Sequence, residues 1–196
     1  EILRTKKPAV FFLENVRHLK NHDGGKTFKV IYKSLQNLNY TFDHKIIKAS
    51  DFGLPQHRPR IYMVGFYKPL LKDMYKELGF TFPREIPLKK TMSDIFNGKV
   101  FKKINSKEER KIGFTLRVGG GRSPIDDRRN WDGYIVNNKI VRIKPSQGLQ
   151  MMGFPKNFKM PVSDNQAMKQ LGNSVAVNVV KEIGKEIQYH LEIFCK

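Results

Sequence analysis

An acidic residue closes an apolar run near the start of the chain. Residues 8–14 read PAVFFLE, and this continuous run predicts a strand buried on both faces, as in a parallel sheet, with Glu14 at its carboxyl end. Open α/β sheets bind ligands at that end of their strands. A carboxyl group there can act on a ligand as an acid, or it can simply cap backbone amides or pair with a lysine.

Two arginines, Arg58 and Arg60, stand at the start of a second strand-like run, residues 60–66, which reads RIYMVGF. Residues two apart in a strand share a face, so the two guanidinium groups can together hold a carbonyl oxygen, a phosphate or a neighbouring loop. Gln56, just before them, is expected to support the loop. An exposed basic strand edge, which discourages sheet aggregation, explains the two arginines equally well.

A third short sequence, Gly172-Asn173-Ser174-Val175, precedes a stretch with apolar residues at every fourth position. That spacing predicts a final helix over 174–194 with Ser174 as its N-cap. Free backbone N–H groups and two short polar side chains at a helix start suit a carboxylate or a hydroxyl group. An ordinary Gly-Asn-Ser helix cap is the alternative.

In their order and spacing, the three sequences resemble the later motifs of the cytosine-5 DNA methyltransferases of the bacterial modification type. Ser50-Asp51-Phe52-Gly53 and Gly153-Phe154-Pro155 add to the match, which covers nearly the whole chain and is weakest over 67–111. The chain resembles only the C-terminal half of a typical family member. The cofactor loop F-x-G-x-G and the Pro-Cys nucleophile are absent, and Cys195, which no proline precedes, does not replace the nucleophile.

The resemblance implies catalytic roles for four residues. Glu14 would contact N3 and the exocyclic amine of the target cytosine, with a pKa raised by burial. Acid catalysis of this kind contributes about 10²–10⁴-fold to a rate. Arg60 would face the flipped base, Arg58 would hold the active-site loop and the DNA backbone, and Asn15 would shape the loop after Glu14.

The resemblance also implies how cofactor and DNA are held. Asn173, Ser174 and Val175 would complete a pocket for S-adenosyl-L-methionine. Glycines after a Thr-Leu pair would let the backbone approach base edges in the major groove, where arginine can bind guanine through two hydrogen bonds. The candidate DNA contacts are Gln56, Thr115, Leu116, Arg117, Gly119, Gly120, Gly121, Arg122, Arg128 and Arg129. Trp131 and Tyr134 are expected to pack the small domain instead of stacking on a base.

The elements that must position these residues follow an α/β pattern in the first 66 residues. We expect strands at 8–14, 40–49 and 60–66, and a helix at 26–39 whose four apolar residues have helical spacing. Residues 67–140 are punctuated by Pro and Gly. There we expect short helices near 70–78 and 91–96 and strand-like pieces at 113–118 and 134–136. A further short helix is expected at 144–154, ended by Gly153.

The expected fold class is therefore α/β: part of a Rossmann-like, S-adenosylmethionine-dependent methyltransferase domain with a small, irregular target-recognition domain. Residues 1–66 would form the second half of the catalytic domain and 67–155 the recognition domain. Residues 156–196 would return and pack the last helix on the catalytic domain. A sheet without its first strands exposes apolar edges, so we expect a complementary segment, self-association or a cut from a longer protein. A first residue of Glu1 fits the last of these.

Charge and composition limit the partners. The chain has 37 Lys+Arg against 18 Asp+Glu, a net charge of +19, which predicts a polyanion because neutralised phosphates release their counterions. A merely lysine-rich or ribosome-associated protein is the alternative. The single cysteine excludes a disulfide framework and a Cys-rich zinc site, and no metal is expected. The apolar runs are short, no signal peptide is evident and the single cysteine fits a reducing compartment, so the cytoplasm is expected, and the family resemblance implies that it is a bacterial one.

These observations predict a conditional activity. Completed by its missing half, the chain would transfer a methyl group to C5 of a cytosine flipped out of duplex DNA, as part of a restriction–modification system. Alone it would be inactive. Two alternatives remain open: a tRNA cytosine-5 methyltransferase, and a non-catalytic DNA-binding module or subunit of a split methyltransferase.

Overall fold

A computed structural model describes residues 1–73, 79–102, 106–119 and 121–194. The chain forms two compact units. The first comprises Glu1–Ile47, Pro59–Arg84 and Lys181–Lys196, and the second comprises Lys48–Arg58 and Glu85–Val180. Within those described ranges, no helix has both the length and the apolar character that a bilayer crossing requires.

The first unit is built on a three-stranded sheet. Its strands β1 (Val10–Val16), β2 (Asp43–Lys48) and β3 (Pro59–Phe66) lie in the order β1-β3-β2. The expectation of a parallel strand buried on both faces is wrong, because β1 runs antiparallel to β3 and only Phe11 of β1 is buried. Among the described residues β1 has one neighbouring strand, and its Leu13 and Val16 remain 41% and 50% exposed.

One helix covers the side of this sheet that carries Phe11 and Ile61. Helix α2 (Lys26–Asn37) confirms the helix expected at 26–39, and its Leu35 is buried with Phe11 and Ile61. The short helix α1 (Ile2–Lys6) was not predicted, and neither was the interrupted 3-10 stretch Arg17–Gly25. The helix expected at 70–78 is represented by a 3-10 turn, Lys68–Leu70, while 74–78 lies outside the described residues.

The second unit has its own small antiparallel sheet. Strands β4 (Val100–Phe101), β5 (Gly133–Val136) and β6 (Lys139–Arg142) follow in that order, so the strand expected at 134–136 is confirmed. The core of this unit contains buried Met92, Leu116, Trp131, Tyr134, Met151 and Leu171. Trp131 and Tyr134 therefore pack the small unit, as the sequence predicted.

Two short helices of the second unit also agree with the sequence. Helix α3 (Met92–Phe96) begins after the N-cap residue Thr91, and helix α4 (Pro145–Met152) ends at Gly153, which has a φ of 81°. The strand expected at 113–118 is wrong. Only Gly113 forms a bridge there, and its partner is Gln56, because this segment bonds to residues 55–58 instead of to a sheet.

The last part of the chain is divided differently from the expectation. Helix α5 (Asp164–Asn173) was not predicted, and helix α6 (Val177–Phe194) begins three residues after Ser174. Ser174 therefore ends α5 as its C-cap and does not start the last helix. The serine that caps a helix N-terminus here is Ser163, whose hydroxyl accepts a hydrogen bond from the Gln166 N–H.

Candidate functional site

Glu14 and Arg60 meet across the first unit's sheet. Glu14 lies opposite Tyr62 in the β1–β3 register, so Arg60 takes the diagonal position on the same face. The Arg60 Nε atom is 3.1 Å from Glu14 Oε1, and the two side chains are only 13% and 24% exposed. Arg60 Nη1 also donates to the Pro59 carbonyl at 2.9 Å. A half-buried carboxyl group is thus oriented by a guanidinium that is itself held in place.

Aromatic side chains border this ion pair along the strands. Tyr62 is buried and its ring stacks on that of Phe12, with 6.1 Å between the ring centres. Apolar walls lower the local dielectric, which strengthens the attraction between the carboxylate and the guanidinium. The pair therefore has both a fixed geometry and a strong local field.

Asn15 is not part of this arrangement. Successive residues of a strand point to opposite faces, so Asn15 lies on the face opposite Glu14. Its side chain is exposed, and its Oδ1 accepts a hydrogen bond of 2.8 Å from the neighbouring Val16 N–H. Asn15 shapes the end of β1 and does not reach the ion pair.

Arg58 and Arg60 do not share a strand face, and that expectation is wrong because β3 begins at Pro59. Arg58 belongs to the second unit and is 2% exposed. Its Nη1 donates to the Leu116 carbonyl at 3.2 Å, and its Nη2 donates to the carbonyls of Gly172, at 2.9 Å, and Ser174. Arg58 thus binds backbone carbonyls in the interior of the second unit, and its expected contacts with an active-site loop and DNA stay a prediction.

Gln56 is fully buried beside Arg58. Its Oε1 accepts from the Leu116 N–H at 3.1 Å, and its Nε2 donates to the Met151 carbonyl at 3.3 Å and to Met152 Sδ at 3.0 Å. The Thr115 hydroxyl donates to the His57 carbonyl. Three of the expected DNA contacts, Gln56, Thr115 and Leu116, therefore bond to protein groups.

The glycine-rich segment that follows Leu116 is exposed. Arg117, Gly119, Gly121 and Arg122 line a cavity of about 380 Å³. Gly120 lies outside the described residues. The segment is anchored at both ends, since Trp131 Nε1 donates to the Gly119 carbonyl at 3.0 Å and the Arg122 N–H donates to the Asp132 carboxylate.

The last two candidate DNA contacts differ in their surroundings. Arg129 pairs with Asp127, with Nη2 at 2.7 Å from Oδ2, and the hydrogen bonds from the Arg129 side chain hold the pKa of Asp127 at about 2. Arg128 is exposed to solvent. Arg129 is thus committed to shaping its loop.

The sequence did not point to three further cationic residues of this region. Arg142 donates to Asp132 at 2.8 Å, to Asn130 at 3.0 Å and to the Ser123 carbonyl at 2.9 Å, which closes the loop between 123 and 132. Lys144 and Lys169 line the same cavity as Arg117 and Arg122. The only available signal was the high local density of lysine and arginine.

The expected cofactor segment lies at the end of α5. Asn173 is exposed, and Ser174 and Val175 are half-buried. Ser174 borders a cavity of about 320 Å³ whose other walls are mainly apolar and include Phe154 and Leu171. Because α6 starts at Val177, Asn173 and Ser174 do not carry the helix N-terminus that the sequence predicted.

Comparison with known proteins shows the family to which this chain belongs. The family description C-5 cytosine-specific DNA methylase matches residues 1–117 and 108–189. The chain belongs to the C-5 cytosine-specific DNA methylase family. The resemblance read from the sequence is therefore confirmed, and so is the dependence of the family on S-adenosyl-L-methionine.

Two relatives of this chain are bacterial type II methyltransferases. Type II methyltransferase M.SsoII of Shigella sonnei is 37% identical over 209 residues, which covers 95% of this chain and 54% of that protein. Type II methyltransferase M1.ScrFI of Lactococcus lactis subsp. cremoris is 35% identical over 212 residues, which covers 97% and 54%. The chain thus spans about half the length of the curated relatives it matches.

Solved structures have a similar fold. A methyltransferase from Entamoeba histolytica has a TM-score of 0.63 at 19% identity, over 94% of this chain and 63% of that chain. The Dnmt2 methyltransferase of S. pombe has the same TM-score at 18% identity, over 94% and 65%. The expected partial α/β methyltransferase fold is confirmed.

Proposed function

We propose that this chain is the cytosine-binding and DNA-reading part of a cytosine-5 DNA methyltransferase of a bacterial restriction–modification system, acting in the cytoplasm. The observation that carries the proposal is the half-buried Glu14–Arg60 pair at the end of β1. Membership of the methylase family and the bacterial type II relatives support it. The domains proposed are 1–66 for the catalytic part, 67–155 for target recognition and 156–196 for the return segment.

The chemistry of cytosine explains the need for such a pair. C5 is a poor nucleophile until a thiolate adds at C6, and that addition is easier when N3 gains a proton or a strong hydrogen bond. One oxygen of Glu14 would accept from the exocyclic amine, while the other would share a proton with N3. Arg60, whose Nε lies on the carboxylate, would donate to the O2 carbonyl of the base. Because these groups are oriented beforehand, they cost little reorganisation during the reaction.

S-adenosyl-L-methionine supplies the methyl group on its sulfonium when it is bound. The end of α5 fits such a ligand in its residue types, because Ser174 lines a largely apolar cavity of about 320 Å³ and Asn173 is exposed. Asn173, Ser174 and Val175 would hold one side of the ligand. These residues would fix its position and keep water from that side.

The proposed DNA contacts divide into two groups. Exposed Arg117, Arg122 and Arg128 would contact bases or phosphates, and the glycines between them would let the backbone approach base edges. Buried Gln56 and Leu116, together with Thr115, would position that segment without touching DNA. Arg129 would act through its pairing with Asp127.

The proposed partner is the remaining half of the enzyme, which would supply the cofactor loop and the Pro-Cys nucleophile. Support comes from β1, which has one strand neighbour among the described residues and exposes Leu13 and Val16. An unpaired strand edge is a ready site for another strand. Self-association through this edge is the competing outcome, and analytical ultracentrifugation of the chain with and without the other half separates the two.

The direct test is Glu14→Gln in the enzyme completed by its N-terminal half. Transfer of labelled methyl groups to duplex DNA should fall by about 10²–10⁴-fold, because the amide cannot share a proton with N3. DNA affinity should stay within about twofold, since Glu14 provides no attraction for phosphate. A matched control is Glu182→Gln, which breaks an exposed ion pair with Lys185 at 2.9 Å and should leave transfer unchanged.

Four results would contradict the proposal. Full activity of Glu14→Gln would remove its assigned role, and label transfer by the isolated chain would show that the nucleophile is not missing. Preference for transfer RNA over duplex DNA in competition binding would favour the RNA methyltransferase alternative. A completed protein with no activity to lose would favour a DNA-binding module.

A further inference from the structure

Three distant segments of the chain meet at Gln56 and Arg58 within the second unit. The segment 55–58 runs beside 113–116, with backbone bonds from Gly113 N–H to the Pro55 carbonyl and from His57 N–H to the Gly113 carbonyl, at 2.9 and 2.8 Å. The third segment is 172–174, whose carbonyls at Gly172 and Ser174 accept from Arg58. The meeting point therefore lies between the start of residues 117–129, here called the DNA-reading loop, and the proposed cofactor segment 173–175.

The guanidinium of Arg58 links two of these segments directly. One of its terminal nitrogens binds the Leu116 carbonyl, while the other binds the carbonyls of Gly172 and Ser174. A planar guanidinium holds acceptors at fixed angles, which the single ammonium group of a lysine cannot do. Since Arg58 is only 2% exposed, these bonds have little competition from water.

Contact between the two linked segments is also direct. A Cβ atom at Gly172 would lie 2.6 Å from the Arg117 carbonyl carbon and 2.7 Å from the Val118 nitrogen. The two backbones therefore pass too near each other for any side chain at position 172. Gly172 thus allows 172–174 to lie beside Arg117 and Val118, while Arg58 supplies the hydrogen bonds that join 172–174 to Leu116.

We propose that Arg58, supported by Gln56 and Gly172, is a positioning residue that couples cofactor binding to DNA binding. An ordered 173–175 would fix the carbonyls that Arg58 holds, and through Leu116 would fix the DNA-reading loop. Each ligand would then strengthen the binding of the other by the same factor, as thermodynamic linkage requires. This inference rests on the proposed function and adds to it a residue that sets the coupling.

The test measures the coupling factor in the completed enzyme. The dissociation constant for a duplex containing the target site is determined with and without S-adenosylhomocysteine, and that for S-adenosylhomocysteine with and without the duplex. The two ratios should be equal in the wild type and lie in the range of roughly 5–150-fold that is typical of allosteric coupling. In Arg58→Lys both ratios should fall to within about twofold of one, because the two segments are no longer held together.

Arg142→Lys is the matched control. Arg142 also holds three acceptors, but all of them lie between residues 123 and 132, within the recognition region. Its substitution should weaken DNA binding equally with and without S-adenosylhomocysteine and leave the ratio unchanged. A merely structural role of Arg58 would give the same result as this control.

A second variant keeps the test decisive if Arg58→Lys unfolds in a thermal scan. Gly172→Ala retains Arg58 but adds a methyl group that collides with the peptide between Arg117 and Val118. It should therefore also change the ratio of the dissociation constants measured with and without the second ligand. Wild-type ratios in both folded variants, or a wild-type ratio of one, would overturn the coupling while leaving the proposed function intact. A wild-type enzyme that transfers no methyl group would instead overturn the proposed function.

Discussion

Asp127 holds the side chain of Arg129 within the candidate DNA-reading region through an ion pair. Hydrogen bonds from the Arg129 side chain hold the pKa of this carboxyl at about 2, well below its ordinary value. A carboxyl group with a lowered pKa stabilises the folded state above its unfolded pKa of about 4 and loses that contribution as the pH falls toward its folded value. The loop from 127 to 129 should therefore stay closed at all physiological pH values.

This gives a prediction for a pH titration followed by NMR. The Asp127 carboxyl should titrate with a midpoint near 2 in the wild type. Arg129→Gln should move the midpoint up toward about 4, because its hydrogen bonds are the largest cause of the lowering. Arg128→Gln is the control, since its smaller charge effect should move the midpoint much less. Equal shifts in the two variants would mean that hydrogen bonding is not the cause.

Tyr134 yields a second prediction at this scale. The buried hydroxyl accepts a hydrogen bond of 2.8 Å from the Phe114 N–H, and burial raises the pKa of Tyr134. Tyr134→Phe should lower the free energy of unfolding by about 1–3 kcal/mol, because it leaves that N–H without its acceptor. Urea denaturation measures the change. Tyr32→Phe, at a residue 38% exposed, should change it by less than about 0.5 kcal/mol.

At the scale of elements, two glycines should respond to alanine in opposite directions. A Cβ on Gly65 of β3 would lie 2.0 Å from the Thr41 carbonyl oxygen and 2.4 Å from the Phe11 ring, whereas one on Gly184 of α6 would meet no atom within 4 Å. Gly65→Ala should destabilise the protein by about 1–3 kcal/mol or more through overpacking. Gly184→Ala should stabilise it by roughly 0.5–1 kcal/mol, because glycine is costly inside a helix. Thermal unfolding of the two variants compares them, and the same sign in both would contradict these contacts.

Elements whose own residues show a regular apolar spacing were predictable from the sequence. Elements whose structure depends on residues far away in the sequence were not. Helix α2 carries Phe28, Ile31 and Leu35 at helical spacing, and these residues pack on the sheet as expected. Ser174 is a residue type that often caps a helix N-terminus. It lies instead at the C-terminal end of α5, because that helix begins after Ser163 and continues to Asn173. Residues 113–118 alternate like a strand, yet their partners are residues 55–58.

The candidate site shows the same division. Glu14 stands out in the sequence as an acid closing an apolar run, and its pairing with Arg60 follows once β1 and β3 are adjacent. The burial of Arg58 was not predictable, because its acceptors are 58 to 116 residues away. Resemblance to the methylase family named Arg58 as important, but only the structure showed that it holds backbone carbonyls.

At the scale of the whole molecule, the net charge of +19 predicts that the proposed DNA affinity depends strongly on salt. The logarithm of the binding constant should fall linearly with the logarithm of salt concentration, with a slope of about −0.9 for each phosphate contacted. Arg122→Gln and Arg128→Gln should each reduce that slope by about one if they contact phosphates. Fluorescence anisotropy between about 50 and 200 mM salt measures it, the range over which such contacts weaken strongly.

The control for this measurement is Arg4→Gln. Arg4 lies in the first unit and pairs with Glu1 at 2.8 Å, so its substitution removes the same charge away from the reading loop. It should leave the slope nearly unchanged. An equal loss of slope in all three variants would mean that DNA responds to total charge and not to the loop.

The bonds of Arg58 also carry a consequence for how the chain is made. Its acceptors at Gly172 and Ser174 are synthesised 114 and 116 residues after it. At translation rates of about 5–20 residues per second, roughly 6–23 seconds pass between the synthesis of Arg58 and the synthesis of these acceptors. Until then the segment 48–58 cannot be buried at low cost, because a buried charge needs its partners. The nascent DNA-reading loop is therefore expected to remain sensitive to proteases until the ribosome has passed the end of α5.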